Sequence, residues 1–357
     1  MPIYIVSEQV GLDGYWITDI LKGIKAEADK KNLHVENYFS PDGTEDVNPT
    51  VLAVGYTENW MKTACRKIKE SGARPIAVNA MPRDVNIFAD AFVGFDYAAA
   101  MAKIISYLKA CGKRKIAFIG CRGGRMSYAF KSSAFSSAVR DGSVYGEIIT
   151  AGSVAELTDS FIKRLYGFDA VICSRDAEAV HFMAACKKRK IYIPDDIYCV
   201  SFGNGGMCEY SIPTLTSMRT DFEELGSSAV KLSRFLSQNP ETDKISILLD
   251  CPMIIRQSTE GRAHIYHTSA EEKLNYSYRV DNDYMSYLRA EQLVRTWDKI
   301  DKSIVKELSR GYTMNEIADR MFISQSSVKY RVKKMLTGAD IENRQELIKI
   351  AQNYGLL

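Results

Sequence analysis

Residues 169–204 read DAVICSRDAEAVHFMAACKKRKIYIPDDIYCVSFGN, and this stretch decides the fold of most of the chain. Ala170–Cys173 and Tyr198–Ser201 are short apolar runs, typical of strands that are buried on both faces. An amphipathic stretch with helical spacing, Ala177–Lys187, lies between them. A strand, a helix and a second strand in this order predict a βαβ unit with parallel strands and a right-handed crossover.

The same alternation extends over the first 260 residues. Further predicted strands are Ile3–Val6, His34–Phe39, Val51–Val54, Ile76–Val78 and Ile116–Ile119. Sheets of this kind hold ligands beyond the carboxyl ends of their strands. The strand pattern stops near Gly261, and residues 262–283 form a polar connector that contains tyrosine. We therefore predict an α/β core in residues 1–260, a linker and connecting helix in 261–296, and a separate domain in 297–357.

The composition excludes several classes of protein. Eight scattered cysteines without a C-x-x-C pair argue against a disulfide framework and against a zinc site. His264 and His267 have no further ligand candidates beside them, so a surface or linker pair is favoured over a metal site. The opening residues, MPIYIVSEQV, lack the pattern of a secretory signal, and no apolar run is long enough to span a membrane. These features predict a cytoplasmic protein without a metal.

Catalytic motifs are missing as well. We find no Walker loop, no G-x-S-x-G elbow and no Cys/His pair. Gly120–Arg125 is rich in glycine, but its spacing does not fit the dinucleotide fingerprint. The sequence therefore predicts neither an enzyme nor a cofactor.

The last sixty residues carry the start and stop signals of four short helices. The expected N-caps are Asp298, Thr313, Ser324 and Asn343, and Asp301, Glu316 and Ser327 stand three residues after the first three. The expected helices run from Asp298 to Gly311, from Met314 to Arg320, from Ser324 to about Leu336, and from Asn343 to near Gly355.

The third of these helices, SQSSVKYRVKKML at 324–336, has a basic and an apolar face. It contains no acid, and its cations are Lys329, Arg331, Lys333 and Lys334. Its small polar N-terminus can enter the major groove while the lysines reach phosphates, as in a helix-turn-helix. A solvated basic face on a helical tail is the alternative. We expect DNA contacts from Thr313, Gln325, Ser326, Ser327, Lys329, Tyr330, Lys333 and Lys334.

Residues 297–357 resemble the LuxR-type helix-turn-helix domain in continuous register. Glu316-Ile317-Ala318, Ile323-Ser324, Val328-Lys329 and Asn343-Arg344 stand at that family's positions. The chain departs from the pattern at Trp297, at Ile300 and at residues 337–340. The resemblance implies that Ser326, Ser327, Lys329, Tyr330 and Lys333 face DNA.

A second resemblance covers the core. Residues 93–120, 169–204, 212–236 and 253–259 look like the effector-binding core of the lactose-repressor family, which has the type 1 periplasmic-binding-protein fold. The resemblance implies two α/β lobes with parallel sheets that close on a small molecule. Lobe one would comprise 1–111 and 214–240, and lobe two 112–213 and 241–260. That family carries its DNA-binding headpiece ahead of the core, whereas the small all-α reader is expected here after it.

The same resemblance implies which residues bind the effector. They are Tyr15, Trp16, Tyr56, Asp96, Lys131, Asp176 and Asn204. Lys131 stands where the family commonly has arginine, and Gly203-Asn204 replaces the usual Asp-Asp, so two groups that hold sugar hydroxyls differ. Trp16 could instead be a core aromatic at a helix start, and Asp176 could cap the helix that follows it.

These observations predict a ligand-responsive transcription regulator. We expect a homodimer that binds operator DNA and a small-molecule effector, carbohydrate-like by resemblance, with helix Tyr284–Trp297 setting the spacing of two readers. Two alternatives stay open: a DNA-binding regulator whose core serves only dimerisation or protein contacts, and a cytosolic solute-binding or enzymatic α/β protein. The net charge of +3 fits a DNA-binding regulator, whether or not its core senses a ligand. Residues 298–357 hold 11 basic and eight acidic residues, so the whole excess lies on the predicted reader.

Overall fold

The computed structural model describes residues 2–9, 15–38, 50–81, 89–121, 125–260 and 284–357. The histidine pair and the connector at 262–283 lie outside these ranges, as do residues 122–124 of the glycine-rich candidate loop. The chain divides into two compact units. Unit one contains Met1–Gly112, Cys121–Ile148 and Arg219–Met253, and unit two contains Lys113–Gly120, Ile149–Met218 and Ile254–Leu357.

The first sheet has six described strands in the order β11-β5-β4-β3-β1-β2. They are β1 (Ile3–Ser7), β2 (Val35–Tyr38), β3 (Thr50–Val54), β4 (Arg74–Val78), β5 (Ala91–Phe95) and β11 (Ile245–Leu249). Each neighbouring pair is parallel. Every residue of β3 and β5 is buried, as expected for strands covered by helices on both faces.

The helices of unit one follow their strands in the predicted alternation. They are α1 (Tyr15–Lys30), α2 (Glu58–Glu70), α3 (Tyr97–Ala110), α4 (Met126–Arg140) and α8 (Phe222–Gln238). Two glycines let α1 and α8 approach closely. A Cβ atom at Gly226 would stand 2.0 Å from the carbonyl oxygen of Ile20, and one at Gly23 would stand 1.9 Å from that of Glu223. The two helices therefore pack backbone against backbone.

The second sheet also has six described strands, in the order β12-β10-β9-β8-β6-β7. They are β6 (Lys115–Cys121), β7 (Tyr145–Ala151), β8 (Ala170–Cys173), β9 (Tyr198–Gly203), β10 (Thr216–Arg219) and β12 (Met253–Ile254). The described helices between them are α5 (Val154–Ile162), α6 (Asp176–Lys188) and α7 (Met207–Tyr210). β8 pairs in parallel with β6 and with β9, which makes residues 169–204 the βαβ unit that their sequence predicts.

The predicted fold class is confirmed: two parallel α/β sheets precede an all-helical C-terminal region. Several bounds differ from the expected lobes. Residues 121–148, expected in lobe two, belong to unit one, and residues 214–218, expected in lobe one, belong to unit two. Residues 241–260 were assigned to lobe two, but β11 pairs with β5 in the first sheet, and only β12 joins the second. A strand that returns to a sheet edge after a long excursion is chosen by its pairing partner, which local periodicity does not reveal.

The C-terminal helices form as their caps predict. They are α9 (Tyr284–Thr296), α10 (Lys299–Ser309), α11 (Met314–Met321), α12 (Gln325–Gly338) and α13 (Arg344–Asn353). In each of the last four, the side chain of the expected N-cap residue accepts the N–H of the residue three positions later. Phe322 ends α11 in the left-handed conformation, with φ of 55°, and its side chain is 94% exposed.

All eight cysteines are free thiols, and they differ in exposure. Cys111 at the end of α3 is exposed and Cys121 is half-buried, whereas the other six are buried. Burial raises the pKa of the Cys65 thiol to about 12 and that of the Cys173 thiol well above its ordinary value. Buried thiols of this kind are weak nucleophiles.

None of the described helices combines the length and the apolar character that a bilayer crossing needs.

Candidate functional site

Helix α12 presents most of the predicted DNA-contacting side chains to solvent. Gln325, Ser326, Lys329, Lys333 and Lys334 are exposed, Tyr330 is 70% exposed, and Ser327 is half-buried. The opposite face is buried through Val328, Val332 and Met335. Within the described part of the chain, Lys329, Lys333 and Lys334 have no acidic partner. The helix thus offers three available positive charges beside a small polar N-terminus.

Arg331 behaves differently from these lysines. Its Nη1 lies 2.8 Å from a carboxylate oxygen of Asp298 and 2.8 Å from one of Asp301, so it ties α12 to the start of α10. Hydrogen bonding to Arg331 is the main reason that the pKa of Asp298 is lowered. The helix carries four positive charges, and the charge of Arg331 is paired with two acids of the same domain.

Thr313 and Ser324 have capping roles in the two helices of the motif. The hydroxyl of Thr313 accepts the N–H of Glu316, while the Glu316 carboxylate accepts the N–H of Thr313 at 2.7 Å. Ser324 accepts the N–H of Ser327 at 3.1 Å. Thr313 remains exposed at the N-terminus of α11, where it was predicted to contact DNA.

In unit one, Trp16 and Tyr56 come together. Trp16 is 8% exposed, and its ring meets that of Tyr56 edge-on with 5.6 Å between centroids. It also contacts Phe222, the first residue of α8. The Arg125 guanidinium lies 5.0 Å from the centroid of the Tyr56 ring. Tyr15 begins α1, but its side chain lies outside the described part of the structure.

Lys131 and Asp96 also lie in unit one. Lys131, on α4, is only 4% exposed, and its Nζ lies 4.7 Å from the centroid of the Tyr97 ring. That ring stacks on Phe130, and burial raises the pKa of its hydroxyl. The carboxylate of Asp96 caps α3 by accepting the N–H of Ala99 at 2.9 Å. Lys131 is therefore a buried cation in an aromatic setting, whereas Asp96 has a capping role.

The carboxylate of Asp176 in unit two already receives hydrogen bonds from other residues of the protein. Its carboxylate accepts hydrogen bonds from Ser201 at 2.5 Å, from Ser217 at 2.8 Å and from the N–H of Gly205 at 2.8 Å, and the Cys208 thiol provides a fourth. A carboxylate offers about four acceptor sites. The sequence left open a capping role, but Arg175 is the N-cap of α6. Burial raises the pKa of Asp176, and these hydrogen bonds oppose the rise.

Asn204 is held in a similar way. Its side-chain oxygen accepts a hydrogen bond from Nη1 of Arg256 at 2.8 Å, and its N–H donates to the Ser217 hydroxyl at 3.0 Å. Its φ of 55° is left-handed, which asparagine tolerates better than most residues. Asn204 thus shares Ser217 with Asp176 at the carboxyl end of β9.

Glu291 was not predicted from the sequence. It lies on α9, is 0% exposed, and accepts the N–H of Gly206 at 2.8 Å and the N–H of Met207 at 2.9 Å. Burial is the main cause that raises its pKa, and the negative charge of Asp176 adds to the rise. In the sequence, the one sign of this role is that an acidic residue stands within the apolar stripe of a helix, where a charged side chain is unusual unless it has a partner.

Within the described ranges, no group of three or more His, Cys, Asp or Glu side chains is arranged to hold a metal ion.

Two family profiles match the chain. One, described as "Periplasmic binding protein-like domain", covers residues 105–259. The other, described as "Winged helix-turn-helix DNA-binding", covers residues 298–336.

Several known regulators are similar to this chain. The HTH-type transcriptional regulator GalR of Lacticaseibacillus casei is 22% identical over 273 residues, which is 71% of this chain and 80% of GalR. The crystal structure of the transcription regulator CcpA of Lactococcus lactis superposes with a TM-score of 0.59 at 18% identity, over 73% of this chain and 100% of CcpA. The Lac repressor bound to ONPG gives 0.61 at 16% identity, over 72% of this chain and 82% of the repressor.

The core therefore has a fold like that of the Lac repressor, which we call LacI-like, and the C-terminal region matches a helix-turn-helix profile. All three relatives are named as transcription regulators or repressors, and none is named as an enzyme. The profile that matches residues 298–336 is of the winged helix-turn-helix type, so the LuxR-type assignment stays a prediction. Residues 284–357 contain helices and no strand, so this described region has no β-wing.

Proposed function

We propose that the protein is a transcription regulator that binds operator DNA through α11 and α12 and a small-molecule effector in its LacI-like core. It acts in the cytoplasm as a homodimer, with a sensor core at 1–260, a connecting segment at 261–296 and a LuxR-type reader at 297–357. Effector binding changes how the two readers are spaced relative to half-sites about one helical turn apart.

The exposed basic face of α12 is the observation that carries the DNA-binding part. Three lysines without acidic partners follow an exposed N-terminus of Gln325 and Ser326, and the helix is fixed to the domain by Arg331 and by its apolar face. This arrangement suits contacts of small side chains with base edges and of lysines with flanking phosphates.

The experiment begins with a random-sequence duplex pool from which the full-length protein selects its operator. We expect Lys329→Ala with Lys333→Ala to weaken operator binding and to lower the slope of log K against log salt by about one per lost phosphate contact. Lys25→Ala with Lys31→Ala is the matched control, since both lysines are exposed and lie on or next to α1. Equal slopes for the two double variants would refute the groove assignment.

A second candidate function is supported by the occupied groups in unit two. Asp176 and Asn204, two of the predicted effector ligands, are engaged by Ser201, Ser217 and Arg256. A core that does not hold a carbohydrate through these groups could serve dimerisation alone. Lys131 beside Tyr97 in unit one favours an effector instead, because ligand pockets combine aromatic side chains with a few well-placed polar or charged groups.

A thermal-shift screen of the full-length chain with sugars, nucleosides and small organic acids separates the two candidates. A ligand at 100 times its Kd should stabilise the core by about 2.7 kcal/mol. The same ligand should change operator affinity, and Lys131→Met should reduce the shift. If no compound raises the melting temperature or alters operator affinity, the dimerisation role is the correct one.

A further inference from the structure

The turn that follows β9 is held between two buried carboxylates. We call residues Gly203–Met207 the glycine turn. Asp176 accepts the N–H of Gly205 at 2.8 Å from one side. Glu291, on the connecting helix α9, accepts the N–H groups of Gly206 and Met207 at 2.8 and 2.9 Å. Three successive amides are thus bound by acids from two different elements.

The three glycines of the glycine turn have no room for a Cβ atom. A Cβ atom at Gly203 would stand 2.4 Å from a carboxylate oxygen of Asp176, and φ is +134° there. A Cβ atom at Gly205 would stand 2.8 Å from Oε1 of Glu291, and one at Gly206 would stand 2.5 Å from Cγ1 of Val294. The backbone therefore lies directly against α9, and a displacement of either one must be followed by the other.

Burying Glu291 is costly unless its charge is satisfied. The two backbone N–H groups that donate to Glu291 both lie in the glycine turn. An apolar residue would fill the same face of α9 without that cost. The carboxylate is therefore better explained by its hydrogen bonds, which fix the position of α9 on the glycine turn.

Helix α9 also packs on the DNA-binding domain. Nη1 of Arg289 lies 2.6 Å from a carboxylate oxygen of Glu346 on α13. The ring of Tyr287 meets the ring of Tyr354, with 6.4 Å between centroids. Lys302 on α10 donates to the hydroxyl of Tyr210 in α7, the helix that begins at the last residue of the glycine turn. Helix α9 is therefore in contact with both the core and the reader, and the ring of Tyr287 meets His181 of α6 as well as Tyr354.

We infer that the glycine turn and Glu291 transmit the state of the core to the DNA-binding domain, with Glu291 as the positioning residue that seats α9. The glycine turn begins at the carboxyl end of β9, the edge at which open α/β sheets hold ligands, and Asn204 lies within it. A ligand that moves Asn204 moves the amides that hold Glu291 and, through α9, the reader. This inference rests on the proposed function.

Three changes in the full-length protein test the link. Glu291→Gln replaces one acceptor oxygen by an amide nitrogen that cannot accept an N–H. Gly206→Ala puts a methyl group 2.5 Å from Cγ1 of Val294, and Val294→Ala in the same chain removes that contact and leaves only the Cβ atom at 3.3 Å. Gly167→Ala is the matched control in unit two, because a Cβ atom there meets nothing within 4 Å.

Amide hydrogen exchange followed by mass spectrometry is the first readout. We expect exchange in α9 to become about tenfold faster or more in Glu291→Gln and in Gly206→Ala, because a helix that has lost its contacts with the glycine turn opens locally more often. Adding Val294→Ala to Gly206→Ala should restore most of the protection. Gly167→Ala should leave α9 unchanged, and β8 and β9 should keep their protection in all variants.

Binding to the selected operator and to a mixed-sequence duplex is the second readout. Operator affinity should fall about tenfold in Glu291→Gln, because specific binding needs both readers in register with their half-sites. Mixed-sequence affinity should stay within about twofold, because the phosphate-binding lysines are untouched.

Unchanged α9 exchange in both single variants would overturn the inference. Equal loss of protection in β8 and β9 would also overturn it, since the glycine turn would then only stabilise the core. A wild-type protein that binds no DNA would refute the proposed function, whereas the exchange measurement would still decide whether the glycine turn holds α9.

Discussion

At the scale of single residues, buried polar groups were the hardest to predict. Asp176 was recognised as important, yet its partners Ser201 and Ser217 lie 25 and 41 residues away in sequence, so only the folded sheet reveals them. The N-caps Thr313 and Ser324 were predictable because a cap and its amide lie three residues apart. The two cases differ in how far apart the hydrogen-bond partners lie in the sequence.

Arg331 makes a prediction at this scale. Because it bonds Asp298 and Asp301 rather than facing solvent freely, Arg331→Ala should loosen α10 from α12 and leave the salt slope of DNA binding unchanged within about half a unit. Losing its hydrogen bond should raise the pKa of Asp298 toward the ordinary value of 3.8, which NMR titration measures. A slope reduced by a full unit, as for a phosphate-binding lysine, would contradict this role.

At the scale of elements, alternating apolar runs and helical stretches were sufficient to predict β1, β3, β6, β8 and β9 and the four capped helices of the C-terminal domain. The edge strands β11 and β12 were not predicted. β11 alternates between half-buried and exposed residues, and β12 has only two residues, so neither carries the continuous apolar pattern of a central strand.

The close crossing of α1 and α8 gives a prediction at this scale. Gly226→Ala should destabilise the core by about 1–3 kcal/mol, because the added methyl group meets backbone atoms of Ile20 and Ile24 that cannot rotate away. This outweighs the gain of about 1 kcal/mol in helix propensity. Urea unfolding followed by tryptophan fluorescence is the measurement, and Trp16, which contacts Phe222 on α8, is one of the three tryptophans that contribute to the signal.

The control for this variant lies in another helix. Gly338→Ala near the end of α12 meets no heavy atom within 4 Å and should be neutral or stabilising. If Gly226→Ala left the unfolding midpoint unchanged, the two helices would have to be able to separate without loss of packing.

At the scale of the whole molecule, the order of domains was predictable because strand periodicity ends where helix caps begin. The attachment of the reader was not predictable. The contact between Glu291 and Gly206 joins residues 85 positions apart, and the described contacts place the C-terminal helices in unit two. The sequence could state that a helix connects the two parts, but it could not show which surface that helix rests on.

The pH dependence of unfolding belongs to this scale. The pKa values of Asp176 and Glu291 are raised above the ordinary 3.8 and 4.5, so the folded chain keeps protons that the unfolded chain releases. Their contribution to stability is therefore fully present below about pH 4 and is lost as the pH rises through the raised pKa values. Cys208 and Arg295 also face these acids, and Arg295 opposes the rise at Glu291.

Urea unfolding of the full chain at pH 4 to 8 measures this effect. Glu291→Gln should make the decline of stability with rising pH less steep than in the wild type, because the variant lacks one of the two groups. Parallel curves for the two proteins would show that Glu291 has the same pKa in the folded and unfolded chain.

The contrast among the eight thiols has a practical consequence. Six are buried, and Cys121 is half-buried, so a bulky maleimide dye should react first with Cys111 at the exposed end of α3. The wild-type protein therefore offers its own attachment point for a fluorophore in unit one. A second dye on the end of a DNA duplex would turn each effector trial into an optical distance measurement, without first removing cysteines from the chain.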